Sequence, residues 1–234
     1  EKIALAAHWQ GAKIADDYCY MHVSHPGYTG ISSVGENRSN VVLVVNRNVM
    51  NGEKPDPFYR DTIMKNRLRQ KILQNAECIE SVRAVESLGF SVKPVPCGGL
   101  LLVGDAMGFI DPFTGEGIYL SLRSSEIAVE VAAQALKKSD LSLAALKAYE
   151  VKRKVEFDKK FLLSRILQKL IYNPFLCDRV VSSLRGNNDL AETLVGVIGD
   201  LTPAETVVSF KFLLQLMGAY SKETSVVKLV RGRV

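Results

Sequence analysis

The residues of this 234-residue chain whose types and spacing can do chemistry gather at positions 99–118, GLLLVGDAMGFIDPFTGEGI. An apolar run at 100–103 stops at Gly104-Asp105, and Pro112, Gly115 and Gly117 follow before a long helical pattern begins. The spacing predicts a buried strand feeding a glycine-punctuated loop that opens onto a helix N-terminus. One carboxylate and several bare backbone N–H groups then meet at the carboxyl edge of a sheet. Open α/β sheets bind ligands there, and a helix start favours electron-rich atoms. Asp105 can accept hydrogen bonds from sugar-like hydroxyls. Gly104 lets the chain leave the sheet with no Cβ in the way. Pro112 stiffens the loop, while Gly115 and Gly117 let a flat ligand come close to the backbone. The plainer reading is a strand–loop–helix unit whose Gly and Pro serve turn geometry alone.

Taken whole, GDAMGFIDPFTGEGI resembles the second flavin-binding signature of FAD-dependent monooxygenases of the p-hydroxybenzoate hydroxylase type. Its DPFTGEGI wording is closest to their geranylgeranyl-reductase-like branch. The resemblance implies FAD as cofactor. By position it implies that Asp105, after Gly104, binds the ribityl chain and that Pro112, Gly115 and Gly117 lie along the isoalloxazine. It also implies that the helix entered at Ile118 points its N-terminus at the pyrimidine end of the ring. NAD(P)H as electron donor and a hydrophobic substrate (an isoprenoid, a lipid or an aromatic) follow from the same resemblance. The family's first motif, a strand and a G-x-G-x-x-G turn that cradles the pyrophosphate, does not precede Gly104, and residue 1 is Glu. The expectation is a carboxyl-terminal portion lacking about 150 residues, by ordinary domain size, and holding half a cofactor site. Prenyl reductases of this branch carry a Y-x-W-x-F-P signature on the substrate sheet. Tyr18-Cys19-Tyr20-Met21-His22-Val23 departs from it, which weakens prenyl reduction relative to other flavin chemistry. Hydroxylation and double-bond reduction both stay open, and no side chain stands out as a general acid or base. The alternative is a non-catalytic lipid- or protein-binding module on the same fold.

Three segments must position this loop. In residues 1–75, runs at 2–9, 18–24, 28–34 and 40–46 are separated by turn signals at Asp16-Asp17, His25-Pro26-Gly27 and Gly35-Glu36-Asn37-Arg38, which predicts an antiparallel sheet. A charged helix over 58–73 follows Pro55 and Pro57. By the resemblance this is the substrate sheet inserted into the cofactor domain. Alternation puts Tyr18, Tyr20, His22 and Ser24 on one face and Cys19, Met21 and Val23 on the other, so His22 reads as a solvent-side histidine. Residues 76–139 return to the cofactor domain, with strands at 81–87, 90–95 and 100–103. A helix after Gly117 is expected to bury Leu120, Leu122, Ile127, Val131 and Leu136. Arg123 and Glu126 read as its structural flanks, and Asp111 and Glu116 as exposed loop carboxylates. Residues 140–234 read as helical, with Pro203 at a late helix start. The fold class is mixed α/β: a partial Rossmann-like FAD-binding domain, an inserted antiparallel sheet and a helical C-terminal region.

Composition bounds the partners. A hydrophobic share of 47% is enough for a core in one or two domains. Cys19, Cys78, Cys97 and Cys177 are scattered without C-x-x-C, which argues against zinc or a disulfide framework and suits a reducing cytoplasm. No metal site is expected, and Cys97 reads as a packed loop cysteine. No apolar run reaches the 18 residues of a membrane span. Between Lys147 and Arg185 ten Lys and Arg stand against four acids, whereas the chain as a whole is +5. Basic–aromatic interleaving is missing, which argues against nucleic acid. Apolar residues at 161–163, 166–167 and 170–172 among those charges leave two readings. One is peripheral contact of basic helices 147–185 with anionic lipid, and the other is a solvated basic face. The expected location is cytoplasmic, with membrane association under the first.

Overall fold

Alternating apolar and polar residues fold the first ninety positions into one antiparallel sheet. Its strands are β1 (Lys2–Gln10), β2 (Cys19–Ser24), β3 (Gly27–Ser33) and β4 (Arg38–Asn46), within two residues of the expected bounds. They run in the order β2-β3-β4-β1, and the short β5 (Glu77–Cys78) and β6 (Arg83–Leu88) both pair with β1. The strand expected at 81–87 thus joins this sheet. Every ladder among the described residues is antiparallel. The computed structural model describes residues 1–109, 111–199 and 201–218.

One face of the sheet is sealed. Ile3, Leu5, Ala7 and Trp9 of β1, Ile31 of β3, and Val41, Leu43 and Val45 of β4 pack with Phe58, Tyr59, Ile63 and Leu73. Those last four come from α1 (Pro55–Met64) and α2 (Arg67–Leu73). Each such burial contributes roughly 1.5–3 kcal/mol. The Trp9 indole donates to the Tyr59 hydroxyl at 3.0 Å, which donates to the Val41 carbonyl at 2.9 Å, so the buried aromatics keep their polar tips satisfied. The helix expected over 58–73 is two helices, because the Asn66 side chain accepts from the Leu68 and Arg69 N–H groups and starts α2 afresh. His22 lies on this sealed side, not toward solvent. Its neighbour Tyr20 packs on the core, and its cross-strand partner Thr29 is fully buried. The opposite face presents Ala4, Ala6, Gly30 and Val42, all half-buried, beside Met21, which is 37% exposed. It is an open apolar platform of small side chains.

Residues 100–103 form no strand. No strand among the described residues pairs with them, so no ladder forms; the Tyr149 hydroxyl binds the Leu102 carbonyl instead. Residues 90–95 give only a bridge between Phe90 and Phe109. The long helix α3 (Gly117–Lys137) packs with α4 (Leu143–Ile171) around Met107, Leu120, Ile127, Val131, Leu146, Tyr149 and Phe157. Ser142 caps α4 by accepting from the Ala145 N–H at 3.2 Å. Leu122 and Leu136, expected in the buried stripe, are instead about two-thirds exposed, as is Val129, and Ile118 is more exposed still. Their intervals of four and seven place them on one face, so α3 carries two apolar stripes and α4 covers one.

Residues 1–174 make one compact unit, and a second begins at Phe175. It contains most of α5 (Pro174–Arg185), then α6 (Asn188–Ile198) capped by Asn187, and α7 (Phe210–Leu216) capped by Ser209. Pro203 precedes a single turn, Ala204–Thr206, and not a full helix. Residues 219–234 of the expected helical region lie outside the described residues.

Candidate functional site

The glycine-rich stretch folds into two tight turns that meet the start of α3. Gly104 opens the turn Gly104–Met107 with φ +55°. Its N–H donates to Ser124 Oγ at 2.8 Å, and a Cβ there would stand 2.7 Å from Ser121 Oγ. Asp105 is exposed, and no hydrogen bond among the described residues engages its carboxylate. Pro112 begins the second turn, Pro112–Thr114, which Gly115 closes at φ +72°. A Cβ at Gly115 or Gly117 meets nothing within 4 Å, and Ile118 is 78% exposed. Pro112, Gly115, Gly117 and Ile118 therefore form an open rim at the head of a helix whose first N–H groups lack intrahelical acceptors. This geometry fits a flat, electron-rich ligand: at Gly115 and Gly117 bare backbone borders open space.

The two loop carboxylates depart from expectation. Asp111 is buried, its side chain 3% exposed, and Glu116 is nearly as enclosed. Asp111 Oδ1 accepts from the Tyr28 hydroxyl at 2.6 Å and the Phe113 N–H at 3.0 Å. Its Oδ2 takes Lys2 Nζ and, at 3.3 Å, Gln168 Nε2. Glu116 takes Lys160 at 3.2 Å and the Thr114 hydroxyl at 2.9 Å. A crevice of about 20 Å³ separates the two acids, with Phe109, Leu120, Phe161 and Ser164 in its wall, which is room for roughly one water. The sequence does carry a signal for this cluster. Lys2 is a charge at the head of an otherwise apolar strand, and such a charge is buried only when paired.

Electrostatics follow burial. Tyr28 is held above the usual tyrosine range by burial first and then by Asp111; Tyr172 is raised for the same two reasons. The Tyr172 hydroxyl is buried with no hydrogen-bond partner among the described residues, and its ring lies under the Lys2 ammonium at 4.6 Å. Beneath the sheet's sealed face, Arg69 is 1% exposed and burial brings it down to about 10. Its donors reach the Ile63 and Thr62 carbonyls and the Ser24 and Thr29 hydroxyls. Burial, then Arg69, holds His22 below the ordinary histidine value, and its Nδ1 is buried without a partner among the described residues. Arg123 pairs with Glu126 and Glu156 on the α3 flank, as its structural reading expected. Cys97 is exposed rather than packed. No helix among the described residues is long and apolar enough to cross a membrane.

No family model matches the chain. It is 29% identical over 216 residues to digeranylgeranylglycerophospholipid reductase 2 of Methanococcoides burtonii, an alignment covering 89% of this chain and 50% of that protein. A geranylgeranyl bacteriochlorophyll reductase-like protein from Thermoplasma acidophilum shares the fold with a TM-score of 0.63 at 23% identity, over 93% of this chain and 51% of that one. A flavin-dependent brominase gives a TM-score of 0.69 at 16% identity, over 85% and 50%. The chain spans about half the length of the curated relatives it matches. Sequence and fold together make the chain similar to FAD-dependent oxidoreductases of the superfamily that holds the geranylgeranyl reductases.

Proposed function

We propose that this chain supplies the substrate sheet and the second flavin-binding segment of a FAD-dependent reductase acting on an isoprenoid lipid. The open rim at Pro112, Gly115, Gly117 and Ile118, tied through Asp111 to a sheet with an open apolar face, is the observation that carries this reading. Bound FAD would supply two-electron hydride chemistry, with NAD(P)H as the donor. The chain's own residues bind and orient. Gly104 sets the turn that presents Asp105 to ribityl hydroxyls, and the rim backbone lies along the ring. The α3 N-terminus favours negative charge at the ring's near end. The small side chains of Ala4, Ala6, Gly30 and Val42 leave room for a hydrocarbon substrate and exclude water from it. The names of the sequence relatives favour reduction over hydroxylation.

We also propose peripheral contact with anionic lipid in the cytoplasm. At 100° per residue, Lys147, Lys154, Arg165 and Lys169 share an arc of α4 with exposed Val151, Val155 and Leu162. Asp158 is the acid in that arc. Leu163 and Leu167, two of the apolar residues expected to meet lipid, are buried. The test of function is to express the full-length product, reconstitute it with FAD and NAD(P)H, and offer a geranylgeranylated glycerolipid. The expected result is a yellow protein that adds two hydrogens per double bond. A colourless product after reconstitution would favour the alternative, a binding module on a flavoprotein fold.

A further inference from the structure

The loop assigned to the flavin is held by groups that this assignment does not use. We propose that Asp111 is the positioning residue of the 112–117 loop, fixing the cofactor-facing backbone to the substrate-facing sheet. The inference rests on the flavin reading above. A carboxylate offers about four acceptor positions, and all four are engaged here: by Tyr28, the Phe113 N–H, Lys2 and Gln168. Those partners come from β3, the loop itself, β1 and α4, so one buried side chain joins four parts of the fold. The Tyr28 ring adds an edge contact to Phe113, with centroids 5.1 Å apart at 86°.

The far end of the loop is tied differently. Lys160, Ser164, Gln168 and Tyr172 recur every fourth residue and share one face of α4. The first two lie at Glu116, the third reaches Asp111, and the fourth lies beneath Lys2. Among the described residues the Glu116 side chain bonds to α4 and its own loop, whereas Asp111 reaches the sheet. Both carboxylates turn inward, and the backbone between them is left facing out around Gly115. The loop's distance from the sheet is therefore set at Asp111.

Asp111→Asn separates positioning from simple charge balance. The amide keeps an oxygen for Tyr28 and the Phe113 N–H but places an NH2 where Lys2 and Gln168 donate. In the full-length holoprotein, FAD affinity should fall about ten- to hundredfold, the range for one lost charged hydrogen bond. The visible absorption band and the fluorescence of bound flavin should move toward those of the free molecule. The double variant Lys2→Met with Asp111→Asn removes both buried charges and guards against misfolding. It should regain the wild-type melting temperature while keeping the altered flavin spectrum. Wild-type affinity and spectrum in Asp111→Asn, or their full return in the double variant, would overturn the proposal. A wild-type protein that takes up no FAD overturns the flavin reading and this proposal together, and that outcome is visible before any substitution is made.

Discussion

Gly115 and Gly117, two residues apart, are under opposite constraints. Gly115 holds φ +72°, where an L side chain is strained, while Gly117 opens α3 with clear space at its Cβ position. Gly117→Ala should leave the apoprotein as stable or firmer by up to about 1 kcal/mol, the usual helical preference for Ala over Gly. It should still weaken FAD binding where the ring lies against the backbone. Thermal melts and flavin titration read the two effects separately. Gly104→Ala should instead lower stability by about 1–2 kcal/mol from its left-handed backbone, with Ser121 forced to turn aside. His22 supplies a pH signature. Its folded value lies below 6.5, so the unfolded chain binds more protons between the two values. Stability should therefore fall as pH drops from above 6.5 through the folded value and level off beneath it. Denaturant midpoints across that window should show the slope, and His22→Gln should flatten it.

At the scale of elements, α4 has two working faces. Lys160, Ser164 and Gln168 hold the loop from one side, while Lys147, Lys154, Arg165 and Lys169 stand on the other. Replacing the four outward cations with Gln should abolish salt-sensitive binding to phosphatidylserine vesicles, since each contributes about 1 kcal/mol near such a surface. Flavin content should be unchanged, because none of the four touches the loop. Retained vesicle binding would assign that face to solvent. Ser142→Ala should cost about 1 kcal/mol through the lost cap, read by chemical denaturation. The same scale explains what was legible in the sequence. Period-two alternation and turn residues are local signals, and they located β1 to β4 within two residues. The open rim was equally readable, because glycine spacing is local. The burial of Asp111 and Glu116, the side on which His22 lies and the exposure of Leu122 are decided by partners far along the chain. Alternation tells that two faces differ, but only α1 and α2 determine which one is sealed.

For the molecule as a whole, α3 carries an exposed apolar stripe, and the run at 100–103 joins no ladder among the described residues. Leu122→Asp should change the stability of this 234-residue chain by less than about 0.5 kcal/mol, as exposed positions do. In a chain of the relatives' length the same change should cost about 2–5 kcal/mol if the stripe is a buried core face. Equal melting shifts in both would show that nothing covers it. The tie at Asp111 also bears on how the protein is made. Its ends are 109 residues apart at Lys2, 83 at Tyr28 and 57 at Gln168. The β2-β3-β4 meander and the α3–α4 pair each form from near neighbours, whereas contacts this distant must close long loops before they gain anything. The cradle should thus be among the last parts of the chain to be completed, and pulse-labelled amide exchange should find the Phe113 N–H protected after the β2–β3 ladder. A chain stalled partway through folding presents no finished seat, so under the flavin reading proposed above, cofactor uptake would report that folding is complete.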